Sequence, residues 1–352
     1  MKIVITAGGT GGHIMPALAI AHAIRQRLPE VNILFIGTDR GMEARLAENA
    51  GIDFIPVRAL GIKGKSAMHI LSALMVNIKA FFTALKALKS FRPTWVIGTG
   101  GYVTGMVVLA GFVLGCRLAI AEQNSEAGLT NRLLARIAHR IFLAFPDSGH
   151  AFPPDKTIVT GNPVRSEIKS ASKPSGRNRL LILGGSLGAG SINTACMGAM
   201  RLLHEEGLVF EVMHQTGTAD LPRVRQAYGE IGLRAEVYDF IDDMASAYER
   251  ATMAVCRCGG LTLSELSRTA IPAIMIPYPL ATDNHQMKNA RYVAANGGGW
   301  IIPDDHLTPE RLALEIKTRL YDPAELKKAS SCMASMGLGD GSEKIAEVIT
   351  GV

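Results

Sequence analysis

The chain has 352 residues, 48% of them hydrophobic and only 19% charged, with a net charge of +6. That length predicts two or three domains with substantial cores, and the composition excludes a disordered chain. The modest positive excess fits an anionic ligand or an anionic lipid surface; with 6% aromatics and no basic run interleaved with them, a nucleic-acid platform is not expected.

Five cysteines, Cys116, Cys196, Cys256, Cys258 and Cys332, are odd in number and scattered, which predicts reduced thiols and a cytoplasmic setting. Cys256 and Cys258 would share one strand face, but no second pair or His spacing completes a zinc site. Met1-Lys2 leads directly into a strand, so no signal peptide is expected, and the longest apolar stretch, Met106 to Gly115, is too short to span a bilayer.

The first apolar run, Ile3–Thr6, leads into Gly8-Gly9-Thr10-Gly11-Gly12-His13 and then a helix near Pro16–Leu28. Strand, glycine turn and helix in that order make an anion site: glycines let the backbone approach a ligand, and free N–H groups at the helix start favour a phosphate. The turn ends on an imidazole, which places a proton acceptor within the loop. The bland alternative is a histidine bonded to a neighbouring carbonyl.

Strand and helix patterns alternate onward: Ile33–Ile36 and Met42–Ala50, Phe54–Val57 and Lys65–Phe91, Trp95–Ile97 and a helix from Gly105, Leu118–Ala121 and Leu129–Ala138, then Arg140–Ala144. This rhythm predicts a parallel, doubly wound sheet with ligands beyond the C-terminal strand ends. Gly161-Asn162-Pro163-Val164-Arg165 interrupts it, and Ser170 to Arg179 reads as a linker or exposed loop. The rhythm restarts with Leu180–Leu183, a turn from Gly184 to Gly190 and a helix over Ile192–Glu206. Strands follow near Phe210–His214, Glu236–Tyr238, Met253–Cys256, Ala273–Ile276 and Gly299–Ile302, with helices near Leu261–Thr269, Pro309–Leu320, Ala324–Met336 and Ser342–Ile349.

Glycine turns recur at 8–12, 100–105 and 184–190. None carries the full dinucleotide fingerprint, although Asp39 keeps a nicotinamide reading open, and no Walker lysine follows any of them, which argues against nucleoside triphosphate hydrolysis. After the strand ending at Cys256, Gly260-Leu261-Thr262-Leu263-Ser264-Glu265 reads either as a phosphate-and-ribose site or as a helix cap with a solvated glutamate. Asp283-Asn284-His285-Gln286 with Asn289, and Glu122-Gln123-Asn124, gather polar groups beyond strand ends, where sugar hydroxyls need donors and acceptors; the alternatives are a solvent-facing turn and a helix cap.

In chain order, Gly8–His13, Gly100-Gly101-Tyr102-Val103, Glu122-Gln123-Asn124, Gly128-Leu129-Thr130-Asn131, Gly161–Arg165, Gly184-Gly185-Ser186, Phe240-Ile241-Asp242-Asp243-Met244, Leu261-Thr262 with Glu265, and His285-Gln286 with Asn289 resemble one family, the MurG N-acetylglucosaminyltransferases of peptidoglycan synthesis. The resemblance covers essentially the whole chain. It implies an α/β GT-B fold, two Rossmann-like doubly wound domains facing a cleft. Residues 1–162 would form an acceptor- and membrane-binding domain, residues 163–337 a UDP-N-acetylglucosamine-binding domain, and a C-terminal helix at about 338–352 would return to the first. It implies UDP-N-acetylglucosamine as donor, lipid I as acceptor, lipid II as product with inversion at the anomeric carbon, no cofactor, and a peripheral place on the cytoplasmic face of the cell membrane. Partners among wall-synthesis proteins are compatible with the resemblance but not specified by the sequence.

Carried over, Thr10, Gly11, Gly12, Asn124, Arg165, Ser186, Ile241, Gly260, Leu261, Thr262, Leu263, Ser264, Glu265 and Gln286 would contact the donor, and Gly100, Gly101 and Tyr102 would face the acceptor. The chain departs from the family pattern at Ala121, Leu187 and Cys258. His13 is the expected base for the acceptor hydroxyl, with Glu122 second. Thr262, Ser186, Arg165 and helix N-termini would stabilise the leaving diphosphate. No Asp-x-Asp stands in a metal-holding context, so no metal is implied.

A basic amphipathic surface, Lys63, Lys65, Lys79, Lys86, Lys89 and Arg92 among Ile70, Leu71, Leu74, Phe81, Phe82 and Leu85, suits an anionic leaflet; the alternative is an ordinary surface helix with its apolar face inward. Two other functions use the same architecture. A UDP-sugar 2-epimerase would need no lipid, and a non-catalytic UDP-sugar sensor would tolerate loss of His13.

Overall fold

A computed structural model describes residues 1–39, 42–61, 67–170, 178–185, 187–339 and 341–352, without the side chains of 67–71, 147 and 149. The chain forms two compact units, Met1–Ser166 with Asp340–Val352, and Glu167–Gly339.

The first unit runs β1 (Lys2–Thr6), α1 (Gly11–Arg27), β2 (Asn32–Gly37), α2 (Glu43–Asn49), β3 (Asp53–Pro56), α3 (Ala67–Phe91), β4 (Trp95–Gly98), α4 (Tyr102–Val113), β5 (Arg117–Glu122), α5 (Leu129–Leu134), β6 (Arg140–Leu143) and β7 (Thr157–Val159). Its seven-stranded sheet has the order β3-β2-β1-β4-β5-β6-β7, and every pairing is parallel. Alternate residues feed opposite faces, as strand geometry requires. Ile3, Ile5, Ile33, Phe35 and Ile97 join Ile20 and Ile24 of α1 on one side. Val4, Leu34, Ile36, Val96 and Leu118 join Ala80, Ala84 and Leu88 of α3 and Val107 of α4 on the other. Both faces are therefore covered, which is why these strands read as continuous apolar runs.

The second unit runs β8 (Arg179–Leu183), α6 (Gly190–Glu205), β9 (Glu211–Gln215), α7 (Leu221–Glu230), β10 (Ala235–Tyr238), α8 (Met244–Arg250), β11 (Met253–Cys256), α9 (Gly260–Arg268), β12 (Ala273–Met275), α10 (His285–Ala295), β13 (Gly299–Ile301), α11 (Pro309–Leu320) and α12 (Pro323–Ser335). Its parallel sheet has the order β10-β9-β8-β11-β12-β13. The last helix, α13 (Gly341–Thr350), is grouped with the first unit, where Ile345, Ala346 and Ile349 enter the core beside α1.

Several elements differ from the sequence reading. Helices α1, α4 and α6 begin on or just after their glycine turns, two to five residues before the apolar periodicity does. The first N–H groups of a helix need no intrahelical partner, so glycine is tolerated there. The polar stretch from His285 opens α10 rather than a turn, after Asp283 and Asn284 take left-handed φ of 54° and 55°. Strand β7 and helices α7 and α8 lack a strong apolar signature and were not anticipated. The junction expected before Pro163 falls after Ser166, so Arg165 stays with the first unit.

A buried polar pin ties β9 to α6 and α7. His214 Nδ1 is 2.8 Å from the Tyr228 hydroxyl and its Nε2 is 3.0 Å from Asn193 Oδ1. Asn193 Nδ2 donates to the Thr216 carbonyl and to Asp220. Burial lowers the His214 pKa from 6.5 to about 3, against a smaller opposing pull from Asp220. The unfolded chain therefore takes up a proton that the folded chain refuses between pH 6.5 and about 3. Stability from this site is present above that window and is lost as pH falls through it. Denaturant titrations should show wild type losing stability more steeply than His214→Gln as pH drops from about 6.5 to 4; equal slopes would contradict the account.

Candidate active site

Strand order decides where ligands go. In the first sheet the crossovers from β1 and β4 run in opposite directions, so their following turns open side by side beyond the strand ends; β8 and β11 do the same in the second. Such switch points are the usual ligand crevices of open parallel sheets. Gly8–His13 follows β1 and Thr99–Tyr102 follows β4; Gly184–Gly190 follows β8 and Arg257–Gly260 follows β11.

At the first switch point the two turns touch through backbone. Gly8 N–H donates to the Gly100 carbonyl at 3.2 Å. Gly100 and Gly101 have φ of +120° and +88°, and a Cβ on Gly101 would lie 2.2 Å from the Gly8 carbonyl oxygen. A Cβ on Gly100 would lie 2.5 Å from His13 Nδ1, so the imidazole rests against bare backbone. Thr104 Oγ1 ties the turn down by donating to the Gly100 carbonyl at 2.6 Å.

His13 is half-buried in the first turn of α1. Its Nδ1 is 3.0 Å from the Thr99 carbonyl oxygen and 3.1 Å from Gln123 Oε1. Both partners are acceptors, so Nδ1 carries the hydrogen and the Nε2 lone pair is left to accept a proton. The α1 N-terminus is otherwise open: Thr10 makes no side-chain cap bond, and Thr10 and Gly12 are exposed. Besides the Gly8 N–H, bonded to the Gly100 carbonyl, a second amide of this turn is already taken. Gly9 N–H donates to Glu43 Oε1 at 3.1 Å, and the Thr38 hydroxyl donates to the same oxygen at 2.7 Å. Glu43 is fully buried and takes up the Gly9 N–H, so the N–H groups the turn leaves for a ligand are those of Gly11 and Gly12 at the start of α1.

Glu122, at the end of β5, is 4% exposed. Its Oε1 accepts from the Asn124 N–H and side-chain amide, and its Oε2 from the Gly128 N–H and Asn131 Nδ2, at 2.8 to 3.4 Å. A carboxylate has about four lone-pair sites, and four donors fill them. The expectation of Glu122 as an alternative base gives way to a structural role: it folds the 122–131 segment and presents Asn124.

In the second unit, Gln286 Oε1 accepts from the N–H of Cys258 at 3.1 Å and of Tyr278 at 2.9 Å. Both partners are donors, which orients the amide and leaves Nε2 to donate outward. Asn289, fully buried, donates from Nδ2 to the Cys258 carbonyl. Together they pin the loop that feeds α9, whose N-cap, Gly259, makes no side-chain cap bond. Glu265, 5% exposed, accepts the Tyr248 hydroxyl at 2.8 Å, so it is not the solvated first-turn glutamate of the bland reading. Ile241 is buried after β10. His285 is half-buried and bonds the Thr282 carbonyl through Nδ1. Ser186 lies outside the described residues.

Sequence reasoning missed Gln123, Thr99 and Glu43 as functional supports, because their partners lie 110, 86 and 34 residues away. It also missed Arg257, which donates to the Ile276 carbonyl, to Asp304 and to Ser191, and stacks on Tyr278. Burial pushes the Cys256 thiol up to about 12, the profile of an inert core cysteine. Among the described residues no group of three His, Cys, Asp or Glu side chains could hold a metal ion.

The glycosyltransferase family 28 N-terminal domain model matches residues 3–143, and the C-terminal domain model of the same family matches residues 179–345. The chain is 39% identical over 357 residues to the UDP-N-acetylglucosamine–N-acetylmuramyl-(pentapeptide) pyrophosphoryl-undecaprenol N-acetylglucosamine transferase of Geotalea daltonii, covering 100% of this chain and 98% of that one. It is 40% identical to the protein of the same name from Nitratidesulfovibrio vulgaris, covering 98% and 96%. Among solved structures it is similar to Acinetobacter baumannii MurG, with a TM-score of 0.80, 31% identity and coverage of 100% and 99%. A UDP-N-acetylglucosamine 2-epimerase has a TM-score of 0.70 at 14% identity, a likeness of fold alone.

Replacing Glu122 by Ala strands its buried donors, each costing about 1–3 kcal/mol. Urea denaturation should show the Glu122→Ala protein destabilised by at least about 2 kcal/mol and His13→Ala by less than about 1 kcal/mol. Equal and small losses would remove the structural role of Glu122.

Proposed function

The chain belongs to glycosyltransferase family 28, and we infer that it performs the reaction for which its relatives are named. It is a UDP-N-acetylglucosamine-dependent transferase that moves N-acetylglucosamine onto lipid I, the muramoyl-pentapeptide carried on diphospho-undecaprenol, to give lipid II in peptidoglycan synthesis. The fold is α/β, with two Rossmann-like parallel-sheet units of the GT-B type. The observation that carries this is identity of 39–40% running the length of both units.

The chemistry is a single in-line displacement. The muramoyl 4-hydroxyl oxygen forms a bond to the anomeric carbon as the bond from that carbon to the UDP oxygen breaks, inverting the centre, and UDP leaves with the electron pair. The hydroxyl proton goes to His13 Nε2, the nitrogen left with a lone pair. The amides of Gly11 and Gly12 with Thr10, and Asn124 presented by Glu122, contact the donor, as does Arg165. Gly100, Gly101 and Tyr102 face the acceptor. In the second unit the α9 start, Gly260, Leu261 and Thr262, takes the diphosphate, with Ser186. Leu263 and Ser264 complete that turn from the buried side, Glu265 takes the ribose hydroxyls, the backbone at Ile241 meets the uracil, and Gln286 Nε2 donates to a sugar hydroxyl.

The membrane reading draws support from which face of α3 is covered. Its inward face is Ala73, Asn77, Ala80, Ala84 and Leu88, with Phe81, Leu85 and Phe91 half-buried against the same core rather than on the membrane surface, whereas Leu74, Met75, Ile78 and Phe82 are 46–66% exposed beside exposed Lys79, Lys86 and Lys89. An ordinary surface helix keeps its large apolar groups inward, as Phe81, Leu85 and Leu88 do; the second, exposed apolar set is what supports the membrane reading. Phe112 and Val113 of α4 and Leu129 and Leu133 of α5 extend the exposed apolar surface, which the sequence reading had confined to α3. Lys63 and Lys65 and the side chains of Ile70 and Leu71 lie outside the described residues. No helix among the described residues is long and apolar enough to cross a membrane. The proposed place is the cytoplasmic face, reached peripherally.

Two measurements test this. Incubation with UDP-N-acetylglucosamine should release UDP only when a lipid I analogue is present; conversion of the UDP-sugar to its C2 epimer without acceptor would indicate the epimerase reading, and binding with neither release nor epimerisation the sensor reading. Lys79→Glu/Lys86→Glu should weaken binding to vesicles containing anionic lipid at least tenfold, each cation being worth about 1 kcal/mol near such a surface, while turnover of a short-chain acceptor is unchanged. Binding indifferent to anionic lipid and salt would defeat the membrane assignment.

A further inference from the structure

We propose that Gln123 is a positioning residue for the transfer, holding the His13 ring so that its Nε2, and not its Nδ1, meets the acceptor hydroxyl. This rests on the reading of His13 as the base. Gln123 follows β5 and is 2% exposed. Its Nε2 donates to the Ala121 carbonyl at 3.0 Å, which fixes the amide so that Oε1 is the atom facing His13 Nδ1. The Thr99 carbonyl shares the same N–H, so two oxygens from two elements set both the tautomer and the plane of the ring.

The partner's charge is the informative part. A histidine base is often backed by a carboxylate, which stabilises the imidazolium formed in the reaction. Here both oxygens are neutral. Around the ring, the β4–α4 turn offers only Tyr102, which is exposed. The segment after β5 offers Glu122, filled by four donors, and Glu126. Beneath the β1–α1 turn lies Glu43, bonded to Gly9 and Thr38. Among the described residues the partners of His13 Nδ1 are the Thr99 carbonyl and Gln123 Oε1. The ring is thus held by two neutral oxygens rather than by a carboxylate bonded to Nδ1, and a negative charge at that bond would sit close to where UDP and the acceptor diphosphate bring their own.

The test uses the full-length protein with UDP-N-acetylglucosamine and a lipid I analogue. Gln123→Glu keeps an acceptor oxygen against Nδ1 and adds the charge, so the acid limb of kcat/KM should move up by about one pH unit. Gln123→Met, similar in size and without the acceptor, should lower kcat about tenfold or more with KM for UDP-N-acetylglucosamine within about twofold. In ¹⁵N-histidine spectra the wild type should show His13 as the Nδ1–H tautomer, and Gln123→Met should show tautomer exchange. An unmoved acid limb in Gln123→Glu together with an unchanged tautomer in Gln123→Met would overturn the proposal while leaving His13 as base. Near-normal turnover in His13→Ala would instead overturn the base reading, and the spectra would still report whether Gln123 sets the tautomer.

Discussion

The first site depends on one close approach. The backbones after β1 and β4 come together with no side chain between them: a Cβ at Gly101 would lie 2.2 Å from the Gly8 carbonyl oxygen, and one at Gly100 would lie 2.5 Å from His13 Nδ1. The parallel sheet creates the opening at that switch point, and the glycines let the two turns close on it. The imidazole then has nowhere to lie except against the β4–α4 turn, where the Thr99 carbonyl meets its Nδ1. Gln123 Oε1 meets the same nitrogen, and the two oxygens together set the plane and tautomer of the ring.

The second unit solves a similar problem with different means. Its switch-point loop after β11 is held by side-chain amides, Gln286 and Asn289, and by the Arg257 hub rather than by backbone contact alone. In both units a side chain takes up backbone N–H groups of the turn: Glu43 at Gly9, and Gln286 at Cys258 and Tyr278. The groups differ. Under the first turn the partner is a side-chain carboxyl group; under the second it is a neutral amide, and the α9 N-cap, Gly259, carries no side-chain bond.

The architecture was legible in the sequence because β1, β2, β4, β5, β8 and β11 are buried on both faces and read as unbroken apolar runs between glycine turns. Helix α10 was not, since its start is polar and its entry needs left-handed φ at Asp283 and Asn284. His13 stood out because it ends a glycine turn. Gln123 did not, although it sits within Glu122-Gln123-Asn124; its meaning lies in a hydrogen bond across 110 residues, and local patterns carry no such information. Glu122 was assigned chemistry for its residue type, and only its four donors show that its oxygens are already occupied.

The central claim is that an unprotonated imidazole nitrogen at position 13 accepts the proton of the attacking hydroxyl. Its most direct test is chemical rescue: turnover of His13→Gly at saturating donor and acceptor, with and without free imidazole. The account predicts a loss of at least about 100-fold in kcat that imidazole partly restores, with no effect of imidazole on wild type. Turnover within about tenfold of wild type without imidazole would contradict it.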